Sequence, residues 1–166
     1  LRPGDKIGIS GNNGTGKTTL LSKLLRTCHL QKDEILYLSQ EVSHAEKHDA
    51  ITEFTDLDNA NRGLVCAFFD RLGTDAQNIL TTNSPSPGEL RKLIFALGLL
   101  KEPKLVVLDE PVNHMDAVAA QGFEEVLMEL DCGLLLVSHD QYLLDRCTEI
   151  NWYLKERDGG IILQIN

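Results

Sequence analysis

Near the start of the chain, Gly11-Asn-Asn-Gly-Thr-Gly-Lys-Thr18 sets two glycines around four positions and follows them with a lysine and a threonine. That spacing suits a loop that closes on phosphate. Glycines let the backbone wrap tightly around an anion, so that successive N–H groups across Asn12, Asn13, Gly14, Thr15 and Gly16 point inward, and the helix that follows adds its positive end. Lys17 is placed to reach the β- and γ-phosphates of a nucleotide and the Thr18 hydroxyl to ligate Mg2+, with Thr19 continuing the same turn. A plain strand-to-helix turn is the alternative. The loop by itself does not separate kinases, GTPases and transport ATPases.

Two adjacent acids close a second segment, Leu105-Val-Val-Leu-Asp-Glu110. The carboxyl ends of parallel strands face the ligand crevice. Asp109 is therefore expected beside the metal held by Thr18, and Glu110 where it can polarise the water that attacks a γ-phosphate. Burial alone accounts for the apolar residues but leaves the two acids unexplained.

These residues need elements to position them. Ile7 to Ser10 reads as a strand, and Leu20, Leu21, Leu24 and Leu25 recur at helical spacing after the loop. Glu34 to Ser39 reads as a second strand, beyond which the chain turns polar around His44, Glu46, Lys47, His48 and Asp49. Leu64, Val65, Phe68, Phe69 and Leu72 mark one face of a helix that Gly73 can terminate. After the polar stretch Thr81 to Gly88 comes a helix with Leu90, Leu93, Ile94 and Leu97 on its apolar face. Its Arg91-Lys92 pair reads as a solvated surface, with an RNA or partner-helix contact as the alternative. Leu105–Leu108 and Leu134–Val137 are nearly uninterrupted apolar strands around a helix carrying Phe123, Val126, Leu127 and Leu130. Such strands alternating with helices indicate an α/β fold with a parallel sheet covered on both faces. Ile150 to Leu154 and Ile161 to Ile165, around Asp158-Gly159-Gly160, read as a hairpin.

Composition bounds the partners. The chain has 166 residues, 42% of them hydrophobic and 25% charged, within the range of one globular domain with its own core. No apolar run approaches the roughly 20 residues of a membrane-spanning helix, so a soluble, cytoplasmic protein without direct membrane insertion is expected. A start at Leu1 rather than Met suggests a piece of something longer. A formal net charge of −9 disfavours broad binding to nucleic acid, which needs a basic face. Cys28, Cys66, Cys132 and Cys147 form no metal-type cluster and read as small buried hydrophobes in a reducing compartment. His44 and His48 are spaced to share a helix face, but no third ligand accompanies them, and a solvated surface is the expected reading.

Taken in order, the phosphate loop, Gln40, Ser86-Pro-Gly-Glu89, Asp109-Glu110 with Asp116 beyond, and His139 in Leu136-Val-Ser-His-Asp140 resemble ATP-binding-cassette ATPases along nearly the whole chain. The resemblance implies a P-loop NTPase (RecA-like) core over residues 1–40 and 101–166, an inserted helical subdomain over about 41–100, and a β-subdomain largely missing at the N-terminal end. It implies that two cassettes meet head to tail, in cis or as a homodimer, with ATP and Mg2+ between them. Gln40 would sense metal and attacking water, and His139 would contact the γ-phosphate and orient the water with Glu110. Asp116 would lie in a loop crossing the interface, while Ser86, Gly88 and Glu89 of the signature segment would serve the ATP of the opposite cassette. Ser86-Pro87-Gly88-Glu89 also fits a capping box with proline at the first helical position, and both readings can hold together. Pro85 stands where the family usually has leucine, and Pro87 where glycine is commonest.

Glu89, the Arg91-Lys92 pair, Val112-Asn-His-Met-Asp116 and Ser138-His-Asp-Gln-Tyr-Leu143 are most similar to the ABC-F group, soluble tandem-cassette ATPases that act on ribosomes. The stretch between Gln40 and Ser86 holds a helical subdomain but not the long arm of many first cassettes, which implies a second or armless cassette. The alternatives are a transporter cassette working with a membrane-domain partner, and a nucleotide-binding regulatory module without turnover. In the family an aromatic side chain upstream of the phosphate loop usually stacks on adenine. None precedes Gly11, so weak nucleotide affinity is expected of this chain alone.

Overall fold

The computed structural model describes residues 2–74, 85–113, 115–157 and 160–165. Thr81 to Ser84 of the expected polar stretch, His114 of the loop before Asp116, and Asp158-Gly159 of the expected hairpin turn lie outside them.

The elements run β1 (Lys6–Gly11), α1 (Lys17–Thr27), a 3-10 turn at Lys32–Glu34, β2 (Ile35–Leu38), α2 (His44–Asp56), α3 (Asn59–Arg71), α4 (Pro87–Leu99), β3 (Leu105–Asp109), α5 (Ala117–Glu129), β4 (Gly133–Val137), α6 (Gln141–Cys147), β5 (Ile150–Arg157) and β6 (Gly160–Ile165). One six-stranded sheet has the order β2-β3-β4-β1-β5-β6. Every pairing is parallel except the antiparallel β5–β6 hairpin. The expected parallel sheet and closing hairpin are both present.

Alternate residues of each strand feed opposite faces, as the period of two requires. Leu36, Leu38, Val106, Leu108, Leu134 and Leu136 pack with Phe123 and Leu127 of α5 and Leu144 of α6. Ile7, Ile9, Leu105, Val107, Leu135 and Val137 pack with Leu21 of α1 on the other face. Helices α2, α3 and α4 enclose a separate apolar cluster of Ala50, Phe54, Val65, Phe69, Leu90, Leu93, Ala96 and Leu97. Phe95 of α4 turns the other way, its ring centroid 4.5 Å from Phe123 and 5.7 Å from Phe68.

Some expectations need correction. The polar stretch after β2, which showed no apolar periodicity but lies within the span expected to be helical, contains a helix, α2, started by a Ser43–Glu46 capping box and burying only Ala50 and Phe54. Leu64 leaves its expected apolar face and is 59% exposed, because the buried stripe of α3 narrows to Val65 and Phe69. Gly73, at φ 62°, does end that helix, and the Thr74 N–H returns to Phe69 O at 3.0 Å. Only Cys147 is fully buried; Cys28, Cys66 and Cys132 are half-buried, and all four are free thiols. His44 and His48 are exposed on α2. Among the described residues no group of three or more His, Cys, Asp or Glu side chains is placed to hold a metal ion. No helix among them is long and apolar enough to cross a membrane.

Candidate functional site

Three neighbouring strands, β3, β4 and β1, end at the same edge of the sheet. Val137 of β4 is level with both Ile9 of β1 and Asp109 of β3. The phosphate loop, the acidic pair and His139 therefore emerge side by side, as parallel register demands.

The loop leaves β1 through Gly11, whose φ of 146° and close approach to Leu154 O, 2.5 Å from where a Cβ would lie, exclude any side chain. Asn12 O accepts from the Thr15 N–H at 3.3 Å and the Thr15 hydroxyl at 2.8 Å, which closes a turn. Gly14 and Gly16 are left-handed, at φ 81° and 82°. No side chain caps α1 and no acid stands in its first turn, so its positive end faces the loop without a carboxylate of its own. Lys17 is buried, and its Nζ donates to Gly11 O at 2.8 Å and Asn12 O at 3.2 Å and lies 3.4 Å from His139 Nε2.

The Thr18 hydroxyl donates to Asp109 Oδ2 at 2.8 Å. Threonine hydroxyl and carboxylate oxygens are hard donors of the kind Mg2+ prefers, so this pair fits that ion. Glu110 follows at φ 50°, outside the regions that side-chain-bearing residues ordinarily occupy. Its N–H donates to Val137 O at 2.9 Å, and its Oε2 accepts from the His139 N–H at 3.4 Å. Oε1 lies 3.4 Å from His139 Nε2, close enough for charge attraction if the ring is protonated, but it is buried without a hydrogen bond. Burial raises the Glu110 pKa above its ordinary value and the Asp109 charge adds to this, while His139 and Lys17 oppose it. A carboxyl group at the cleft, with a raised pKa and Lys17 and His139 beside it, is suited to take a proton from water.

Asn13, Gly14, Gly16, Lys17, Thr18, Thr19, Gln40, Asp109, Glu110, Asn113 and His139 line one cleft of about 540 Å³. Of these, only Asn113 was not expected as a site residue, though the sequence set it in the Val112–Asp116 segment of the family resemblance. A larger groove of about 780 Å³ runs along β2, α2 and α4, away from these groups. The signature and loop residues lie elsewhere. Ser86 caps α4, accepting from the Glu89 N–H at 3.2 Å while Glu89 Oε2 accepts from the Ser86 N–H at 2.7 Å, with Pro87 at the first helical position. Asp116 caps α5 by accepting from the Ala119 N–H at 2.9 Å. Ser86, Gly88, Glu89 and Asp116 are not among the residues that line the cleft.

The Arg91-Lys92 pair is not a solvated surface. Arg91 is 2% and Lys92 5% exposed. Lys92 Nζ donates to the Thr74 hydroxyl at 2.6 Å. Arg91 reaches behind the cleft, with Nη1 donating to Gln40 O and Nη2 to Asp109 O at 3.1 Å and Glu110 O at 2.9 Å. Burial lowers its pKa, against the charges of Asp109 and Glu110. The sequence offered one signal for this: both cations sit inside a run of apolar residues, so helical geometry leaves little of that helix for solvent.

A family model described as ABC transporter matches residues 1–113. The chain is 34% identical over its whole length to the ribosome protection protein VmlR of Bacillus subtilis, covering 32% of that protein. It is 30% identical, over 95% of its length, to the probable ATP-binding protein YheS of Escherichia coli, covering 26% of it. Among solved structures, an ATP binding subunit of an ABC transporter superposes over 96% of this chain and 77% of that one, with a TM-score of 0.72 at 18% identity. The RNase-L Inhibitor superposes over 98% of this chain and 34% of that one, with a TM-score of 0.71 at 21% identity. The chain thus spans about a third or less of the length of these two curated relatives.

Proposed function

This chain belongs to the ABC transporter family of ATP-binding cassettes, and from that premise we propose that it binds and hydrolyses ATP as one cassette of an ABC-F-type protein acting on the ribosome. The observation that carries hydrolysis is the convergence on one cleft of Lys17, the Thr18–Asp109 pair and Glu110, whose carboxylate lies against His139. Lys17 and the N-terminal N–H groups of α1 hold the β- and γ-phosphates. Thr18 and Asp109, with Gln40, would hold Mg2+, which neutralises phosphate charge when bound. Glu110 accepts a proton from a water whose oxygen bonds to the γ-phosphorus as the bond to the β–γ bridging oxygen breaks. ADP and inorganic phosphate leave. His139, with its N–H on Glu110 and its ring beside Lys17, orients that water and the γ-phosphate.

Ser86, Gly88, Glu89 and Asp116 belong, in this reading, to the ATP site of a partner cassette, in cis or in a homodimer. Their position at the starts of α4 and α5, away from the cleft, supports that division. The ABC-F branch is supported by the likeness to the ribosome protection protein VmlR over the whole chain. The test uses the full-length protein. Replacing Glu110 by Gln should lower kcat for ATP by about a hundredfold or more, while ATP-dependent co-sedimentation with ribosomes persists. Undiminished hydrolysis would remove Glu110 from the base role. Hydrolysis without ribosome association would move the protein to another branch of the family.

A further inference from the structure

Arg91 lies in the interior of α4 at 2% exposure, where a cation is expensive unless its N–H groups are satisfied. None of its hydrogen bonds goes to a carboxylate. Nη1 takes Gln40 O, Nη2 takes Asp109 O and Glu110 O, and Nε is left without a partner.

The Asp109 carbonyl lies past the end of one ladder, while Glu110 O also accepts from the Asn113 N–H at 3.3 Å. β2 pairs with β3 only as far as Leu38 and Leu108, so the ladder ends one residue before Asp109. Glu110 then turns left-handed, at φ 50°. Nη2 spans the carbonyls on both sides of that residue and so secures the turn that aims the Glu110 carboxylate at the His139 N–H. The other arm ties the Gln40 backbone into the same frame.

We propose that Arg91 is a positioning residue for ATP hydrolysis, fixing the Glu110 turn and the Gln40 loop relative to α4, the helix that Ser86 caps. The inference rests on the reading of Glu110 as the base. Arg91 touches neither the cleft nor a carboxylate, so it acts through the backbone of the residues that do. A lysine has a single ammonium and no planar fork, and can satisfy these carbonyls only in part.

The experiment is steady-state Mg-ATP hydrolysis by the full-length protein carrying Arg91→Gln or Arg91→Lys, normalised to the number of ATP-binding sites. Arg91→Gln is expected to lower kcat by about tenfold to hundredfold, with KM for ATP changed by less than about threefold. Arg91→Lys should fall between it and the wild type. Wild-type kcat per site in Arg91→Gln would overturn the proposal, as would a loss accounted for wholly by fewer binding sites. If Arg91→Gln does not fold, Arg91→Lys carries the same test, and an unaltered kcat per site overturns it. A wild-type protein that binds ATP but hydrolyses none would instead defeat the ATPase reading on which the proposal stands.

Discussion

Glu110 is 6% exposed, and burial disfavours its ionised side chain unless its neighbours compensate. Burial raises its pKa more than His139 and Lys17 lower it. The folded chain therefore binds this proton more tightly than the unfolded one, and the resulting stabilisation is full below the ordinary glutamate range and lost as pH rises through the raised value. Glu110→Gln, which cannot ionise, should melt higher than the wild type at about pH 8, and the gap should close toward about pH 4. Thermal unfolding across that range checks this, and equal melting temperatures at the alkaline end would mean that the neighbours fully compensate the charge. Thr18→Val deletes the hydroxyl at nearly constant shape and leaves Asp109, 2% exposed, without that donor. A loss of about 1–3 kcal/mol is expected, together with a higher Mg2+ requirement for hydrolysis, measured by denaturant unfolding and by Mg2+ titration. His139 was legible through the family resemblance, and Lys17, Asp109 and Glu110 because each stands where an apolar strand or its glycine loop ends, a pattern local in sequence. Arg91 was not. Its carbonyl partners lie 18, 19 and 51 residues away, and nothing in the Arg-Lys dipeptide itself tells a satisfied buried cation from a solvated one.

The helices respond to glycine in opposite ways, according to what each one faces. A Cβ on Gly122 of α5 would lie 2.5 Å from Arg71 O at the end of α3, and backbone cannot yield as a side chain can. Gly122→Ala should force the two helices apart and destabilise by about 1–3 kcal/mol. Gly63, inside α3, has nothing within 4 Å of the same position. Gly63→Ala should stabilise by about 0.5–1 kcal/mol through the backbone entropy it removes from the unfolded chain. Urea midpoints of the two variants check both signs, and a shift in the same direction would refute the contrast. The same facing rule explains which elements could be read in advance. β3 and β4, buried on both faces, show as unbroken apolar runs. α2 shows almost nothing, since its mostly polar exposed surface hides a stripe of only Ala50 and Phe54. Leu64 misled for the complementary reason: it is apolar, adjacent to the stripe, and faces water.

Across the whole molecule, two apolar bodies must move as one for α4 to keep Arg91 behind the acidic pair. Helices α2, α3 and α4 have a core of their own, and the sheet with α5 and α6 has another. Phe95 is fully buried on α4 yet belongs to the sheet's core, in contact with Phe123 of α5 and with Phe68, which packs against both clusters. Removing that ring should therefore do more than open a cavity. Phe95→Ala is expected to cost about 3–5 kcal/mol, and the amides of α2 and α3 should then exchange faster relative to those of β3 and β4, because the helical layer can open while the sheet remains closed. Hydrogen exchange resolved by segment distinguishes this from uniform weakening, in which both groups of amides lose protection in proportion. If the joint is what keeps Arg91 in place, Phe95→Leu, which restores much of the volume, should recover hydrolysis per ATP-binding site along with the protection of α2 and α3. Recovered protection without recovered hydrolysis would show that packing at Phe95 does not set the position of the guanidinium.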